Sequence, residues 1–530
     1  MTWTRTTIKR TWHATAPRDP GTLDTFTLVV NWGDALSPNN VETYTFPASG
    51  SGSQTFSLTH QYLDDNPSVS ASDTYTISAT VTDDDSLSGS GSTSVVVQNL
   101  SPTITSAASD HDAPCESSSD GIVTISGSFA DVGTLDTHTV QVDWGDGSPI
   151  ESLPAGAVDQ SGDGFLHSHT YGSGGIFEVT ITVVDDDNGQ SDAQTVLAVV
   201  QGIGLVDGTL YVIGTDGKDI VNVHQTGSRW NPWIKVTANL DVRGGSDGGS
   251  DGGHDRGRRN GNGGSDGGSD GGRDRGRGHS DGGNDRGTEI AYFRPWEIEQ
   301  IEVYLCADDD HATIGGGSDG GSDGWSDGGS DGGLDIPALI YGGDGRDHLT
   351  GGSAADTLFG GDGDDKLKGR GGNDVLIGGA GNDDLWGGDG DDVLSGGDGD
   401  DSLWGDRGDD ILIGGLGRDD LKAGHEDDLL ITMRWTEEEN RAALAAIHSE
   451  WNRGDASYDQ KREHLVGASA GGLNGSFLLN RSTLVEDNDR DTLRGEKGRD
   501  LFFATLGGSK KDNVKDDKRD EDVLTIDDLP

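Results

Sequence analysis

Positive charge, cysteine and long apolar runs are all scarce in this sequence. Lys and Arg number 38 against 94 Asp and Glu, a formal charge of -56. Binding nucleic acid requires clustered Lys and Arg to displace phosphate counterions, and the clusters here are of carboxylate, so no nucleic-acid partner is expected. The two cysteines, Cys115 and Cys306, lie far apart in sequence. They can build neither a disulfide framework nor a Cys-based zinc site, and the sequence assigns them no role. No stretch approaches the roughly 20 apolar residues of a membrane-spanning helix. No apolar h-region follows Lys9 and Arg10, so no cleavable secretory signal is visible and export would need another route. The basic opening from Met1 to Arg18 is out of character with the acidic remainder and reads as a mis-assigned start or a fragment edge.

What is abundant is Asp beside Gly. So much like charge opposes a compact fold unless cations compensate it. Asp in Gly-rich turns, rather than Glu along helical faces, reads as a set of ligands for a hard cation.

The chain repeats itself. The segment from Gly21 to Asp34, ending Asn31-Trp32-Gly33-Asp34, returns from Gly133 to Asp146, ending Asp143-Trp144-Gly145-Asp146. Each copy continues with a His-x-Tyr pair (His60 and Tyr62; His169 and Tyr171), an alternating Thr/Val-rich strand, and an Asp run at 83–85 or 185–187. Period-two alternation with frequent turn signals predicts small antiparallel sandwiches. These motifs resemble the PKD family, an immunoglobulin-like sandwich of cell-surface and secreted proteins. The resemblance covers about residues 15 to 200 and implies a spacer or adhesive module. Trp32 and Trp144 are then core residues rather than a sugar platform. The first copy lacks the strand that Gly121 to Ser126 supplies in the second, which predicts an incomplete first fold.

The expected organisation is all-β. Two PKD-type sandwiches (1–101 and 102–201) precede a β region (202–341), which is interrupted by Gly/Ser/Asp-rich loops at 243–287 and 315–333. A parallel β-roll (342–431), a helical insertion or cap (432–485), and a short further coil with an acidic tail (486–530) follow. Neither loop has the composition to build a packed core.

The roll rests on ten consecutive nine-residue units from Gly342 to Ile431, which fit G-G-x-G-x-D-x-U-x without gaps, U being a large apolar residue. Position six is Asp in every unit: Asp347, Asp356, Asp365, Asp374, Asp383, Asp392, Asp401, Asp410, Asp419 and Asp428. Position eight is always Leu, from Leu349 to Leu430. Glycines let six residues turn tightly, three residues make a short strand, and two units complete a coil. Stacked coils bury a Leu ladder that one repeat could not bury alone. Stacking also brings carboxylates to about 5 Å, where they repel by ~3 kcal/mol at an effective dielectric near 20. An all-oxygen cage of carboxylates and turn carbonyls suits several Ca²⁺ ions better than Mg²⁺.

This stretch resembles the hemolysin-type RTX calcium-binding family, in which the position-six Asp and turn carbonyls hold ions between stacked turns. The resemblance implies ligands from the turns at Gly360 with Asp362, Gly378, Gly387 with Asp389, and Gly396 with Asp398. Ala354, Arg370, Asp406, Ala423 and Glu426 replace turn glycines, so sites there are expected to be weaker or vacant. Two further units, with Asp491 and Asp500, suggest a separate short coil. A helix from Glu437 to Asn452, begun by a Thr436 to Glu439 capping box, and another from Tyr458 to Leu465 are expected to cap the end of the roll.

No catalytic residues are assigned. The Gly467-Ala-Ser469-Ala-Gly471 string lacks the strand-turn-helix context of a nucleophile elbow. The expected function is that of a non-enzymatic, extracellular, calcium-dependent protein with an unidentified surface protein or polysaccharide as partner, exported by type I secretion. The alternative is the C-terminal part of a secreted hydrolase whose catalytic domain is absent from this chain.

Overall fold

The computed structural model describes residues 25–35, 37–48, 58–60, 62, 72–131, 136–159, 163–228, 231–240, 288–315, 334–486, 489–506, 511–515 and 522–530. The basic opening and almost all of both low-complexity loops lie outside them. The chain divides into two compact units. One comprises Met1–Asp112, Val123–His169 and Phe177–Ala198, and the other Ala113–Ile122, Thr170–Ile176 and Val199–Pro530.

In the first unit, alternation of apolar and polar residues yields antiparallel strands with one buried face. The first copy contributes one sheet of four strands among the described residues: Val41–Phe46, Phe26–Asn31, Ser72–Asp83 and Ser88–Gln98. The second copy has two four-stranded sheets, and Ile125, Val140, Val142, Val179 and Ile181 are fully buried between its strands. Both Trp-Gly-Asp turns have the same construction. Trp144 is buried and stacks on His169 at 4.6 Å, and His169 Nε2 lies 2.8 Å from Asp146; Trp32, His60 and Asp34 repeat the arrangement. The intervening glycine is forced. Gly145 has φ +73°, and a Cβ there would sit 2.6 Å from the carbonyl oxygen of Glu178.

The second unit is the roll. Two sheets, each of 11 strands among the described residues, pair almost wholly in parallel. In the nonapeptide stretch each strand lies beside the one 18 residues on, as in Leu349↔Leu367 and Leu358↔Leu376. Position-eight Leu residues from Leu349 to Leu430 are fully buried in one continuous core. Each contributes ~1.5–3 kcal/mol relative to exposure. The stacking starts well before Gly342. Leu210 pairs with Ile301, Val221 with Ala312, and Ile301 with Ala338, all in parallel.

Three expectations need correction. Residues 486–503 do not form a separate coil: Leu421 pairs with Leu493 and Leu429 with Leu501, so the stack continues and the insertion loops out sideways. The helices do not cap an end either. Leu444, Ile447 and Trp451 of α1 (Arg441–Trp451) join Ile377, Ile411, Ile413, Leu429 and Ile431 in a second core over the outer face of one sheet. Helix α1 begins later than its sequence suggests, because the Asn440 side chain accepts from the amides of Ala442 and Ala443. The predicted α2 is observed at Tyr458–Leu465, with a Ser457/Gln460 capping box. Finally, Cys115 and Cys306 form a disulfide, with Cα atoms 5.4 Å apart and 191 residues between them in sequence. Sequence distance hid this pair, since only folding brings the two turns together.

Candidate metal centre

The roll has two edges, and each carries a column of position-six aspartates. On the first, the amide of Asp347 donates to Oδ1 of Asp365, Asp365 to Asp383, Asp383 to Asp401, Asp401 to Asp419 and Asp419 to Asp491, at 2.7–2.9 Å. On the second, the same bond links Asp356, Asp374, Asp392, Asp410, Asp428 and Asp500 in turn, at 2.7–3.0 Å. The columns are thus hydrogen-bonded ladders running with the stack. Every one of these carboxylates is buried, at 2% exposure or less.

One oxygen of each is spoken for; in eight of them the other is not. Among the described residues, Oδ2 of Asp347, Asp365, Asp374, Asp383, Asp392, Asp401, Asp410 and Asp428 is buried and accepts no hydrogen bond. An orphaned buried carboxylate oxygen is costly unless a cation or donor meets it. Burial is the main cause that pushes these groups above the ordinary carboxylate range, and neighbouring carboxylates add to it in most. Asp347 rises to about 6, Asp365 and Asp383 to about 7, and Asp401 to about 8. On the second edge Asp374 rises to about 8, Asp410 to about 9, Asp392 to about 10 and Asp428 to about 11. Position-one glycines complete the cradle. A Cβ on Gly360, Gly378, Gly387 or Gly396 would collide with the Oδ2 of its own turn's Asp. The donor set of stacked carboxylates and turn carbonyls, all oxygen, fits a hard divalent cation of flexible coordination.

Other residues expected at the site lie elsewhere. The side chains of Asp362, Asp389 and Asp398 are exposed and stand outside the buried columns. Asp389 pairs with Arg407 at 2.9 Å and Asp398 with Arg434 at 3.6 Å. At position three the side chain points to solvent, so only the backbone carbonyls of these residues take part in the turns, accepting from Gly345, Gly372 and Gly381. The substituted turns keep the backbone course, with Arg370, Asp406 and Glu426 at φ of +79°, +76° and +77°. Arg370 goes further: its Nη1 donates to the carbonyls of Ile314, Gly315 and Gly351, next to Asp356. There Oδ2 of Asp356 accepts from the Gly352 amide, and its pKa rises only to about 6.

The sequence reading missed two features. Asp512 extends the first ladder, its Oδ1 accepting from the Asp491 amide at 3.2 Å. The Gly507-Gly508 pair ahead of it was the available signal. Position five forms a second, outer ladder on each edge. Asp364, Asn382 and Asp400 accept from the amide one coil on, ending at Arg418, while Asn373, Asp391, Asp409 and Asp427 do so on the other edge, ending at Arg499.

Family models agree with this geometry. The RTX calcium-binding nonapeptide repeat matches in four copies, at residues 339–367, 350–385, 359–394 and 386–421, and a PKD domain matches residues 99–200. The chain carries RTX calcium-binding nonapeptide repeats and a PKD domain. No curated protein matches the chain. Both modules are of non-catalytic kinds and typical of extracellular or secreted proteins. No helix among the described residues is long and apolar enough to cross a membrane. Ser469 lies in a turn that follows helix α2 directly, so the strand that a nucleophile elbow needs is not in front of it.

Proposed function

We propose that this is an exported protein whose roll becomes ordered when Ca²⁺ fills the aspartate columns, with the sandwiches serving as spacers or adhesive modules. The orphaned Oδ2 atoms carry this reading. Without cations, each coil adds buried carboxylates whose charge the protein leaves uncompensated. With cations, the same coils stack their Leu ladder at no electrostatic cost. The ligands are the position-six carboxylates of Asp347 to Asp428, Asp491 and Asp500, assisted by turn carbonyls. Bound Ca²⁺ supplies charge neutralisation and cross-linking between turns. Extracellular modules of this kind bind near 10⁻⁴ to 10⁻³ M, so cytosolic calcium would leave the roll unfolded and export would fold it. The Cys115–Cys306 disulfide supports an oxidising destination, since such bonds persist outside the cytosol. Type I secretion and a surface protein or polysaccharide as the adhesive partner belong to the same reading.

Circular dichroism of the full chain through a calcium titration tests it. Strand signal should rise with a midpoint in that range and fall when chelator is added. Full strand signal in excess chelator at neutral pH would refute calcium-dependent folding.

A further inference from the structure

A turn upstream of the nonapeptide run repeats its geometry without its sequence. Leu305, Cys306 and Asp308 stand where the run has glycine, and Asp310 stands at position six. Cys306 and Asp308 nevertheless take φ of +80° and +74°, the left-handed side that Gly343 and Gly345 occupy in the turn stacked on it. Register is continuous across the two. The Asp344 amide donates to the Cys306 carbonyl at 2.9 Å, and the Asp310 amide donates to Asp347 Oδ1 at 2.8 Å. On the other side, the Asp219 amide donates to Asp310 Oδ1 at 2.6 Å. The first ladder therefore begins at Asp219, before the first nonapeptide. The disulfide at Cys306 anchors this turn covalently.

Asp310 is 1% exposed, and its Oδ2 is buried with no hydrogen-bond partner among the described residues. An ionised Oδ2 there has no donor to meet it. A cation lying between stacked turns would satisfy it. We propose that turn 305–310 holds a further calcium ion, with Asp310 Oδ2 as its charged ligand and carbonyl oxygens of the flanking turns 214–219 and 342–347 as its neutral ones. The site lies outside the residues matched by the repeat family and lacks the glycines of its motif. It rests on the reading of the nonapeptide columns as calcium sites and extends them upstream.

The test compares the full-length protein with Asp310→Asn, counting calcium per chain at saturation by equilibrium dialysis. At least one ion fewer is expected in the variant, with the roll's strand signal retained. An equal count in a folded variant overturns the proposal, whereas a wild type that retains no calcium overturns the broader reading instead. Should Asp310→Asn fail to fold, crystals of the wild type grown in calcium decide the matter. An ion about 2.3–2.6 Å from Asp310 Oδ2 supports the site. Ions at Asp347 and Asp365 with none at Asp310 overturn it.

Discussion

The two edges of the roll are built from the same nonapeptide but keep it differently. The first edge, turning at Gly342, Gly360, Gly378, Gly396 and Gly414, has glycine at positions one, two and four of every one of those turns. The second carries every departure in the run: Ala354, Arg370, Asp406, Ala423 and Glu426. The second edge is also the one that helix α1 touches. His448 Nε2 lies 2.9 Å from the carbonyl of Asp391, and Trp451 Nε1 donates to that of Asp427 at 2.8 Å. Where the protein supplies its own partners, through helix α1 and the Arg370 guanidinium, the turn sequence has drifted. The open edge meets the insertion through the exposed Arg434–Asp398 pair rather than through helix α1, and keeps glycine throughout. The same contacts desolvate the covered edge more deeply, which explains why Asp392, Asp410 and Asp428 rise to about 10, 9 and 11 while Asp347 to Asp401 rise only to about 6–8.

The largest way to break this comparison is acid in the presence of chelator. These carboxyls have folded pKa values raised above the ordinary value of 3.8. The stability tied to their protonated form is fully present below that value and is lost as pH rises through the folded values. The calcium-free roll should therefore gain strand signal as pH falls from 10 toward 5, in chelator, followed by circular dichroism. Asp392, Asp410 and Asp428 of the covered edge should protonate first on the way down, and the open-edge groups with Asp356 later, giving a broad transition. A chelated protein with less strand at pH 5 than at pH 8 would contradict both the ladder and its asymmetry. In calcium the sign reverses, because protons compete with the ion, and the calcium midpoint should rise as pH falls.

A sharper cut uses paired substitutions. Asn keeps the Oδ1 that accepts from the amide one coil earlier but removes the charge. At pH 7.5 in chelator, Asp392→Asn with Asp410→Asn should stabilise the roll by roughly 2–4 kcal/mol. Asp365→Asn with Asp383→Asn should stabilise it less, since burial raises those groups only to about 7 and carrying them into the fold costs less. In calcium both pairs should raise the midpoint. Denaturant melts of the two double variants, with and without calcium, check the ranking. Equal gains in chelator would mean that the insertion does not govern the difference.

Much of this was legible in the residues because the nonapeptide has a strict period. Its Leu and Asp positions fix inside and turn, and coil stacking follows from the glycines. The sandwiches were legible through one repeated Trp-Gly-Asp turn. What escaped depends on contacts between parts distant in sequence. Cys115 and Cys306 meet only after turns 191 residues apart in sequence are brought together. Helix α1 covers a face rather than an end because Ile377, Ile411 and Ile413 form an outer apolar stripe, and those residues occupy x positions that the motif leaves unspecified. Asp310 escaped for a related reason. Its turn takes left-handed backbone angles at Cys306 and Asp308, where pattern matching looks for glycine. Position three misled in the other direction, since Asp362, Asp389 and Asp398 have the right residue type on the wrong side of the turn.

The smallest expected effect tests whether the drift on the covered edge is costly. Glu426 holds φ +77°, which a Cβ disfavours, and Glu426 Oε2 accepts a 3.2 Å bond from the Gly408 amide, too long and too exposed to offset much. Glu426→Gly should relieve the backbone at the expense of that bond and of unfolded-state entropy, for a net gain of about 0.5–1 kcal/mol in calcium. The analogous change on the open edge is unavailable, because glycine already stands there. A destabilised Glu426→Gly in thermal melts would show that Glu426 is held for its carboxylate, and that the covered edge selects its substitutions rather than merely tolerating them.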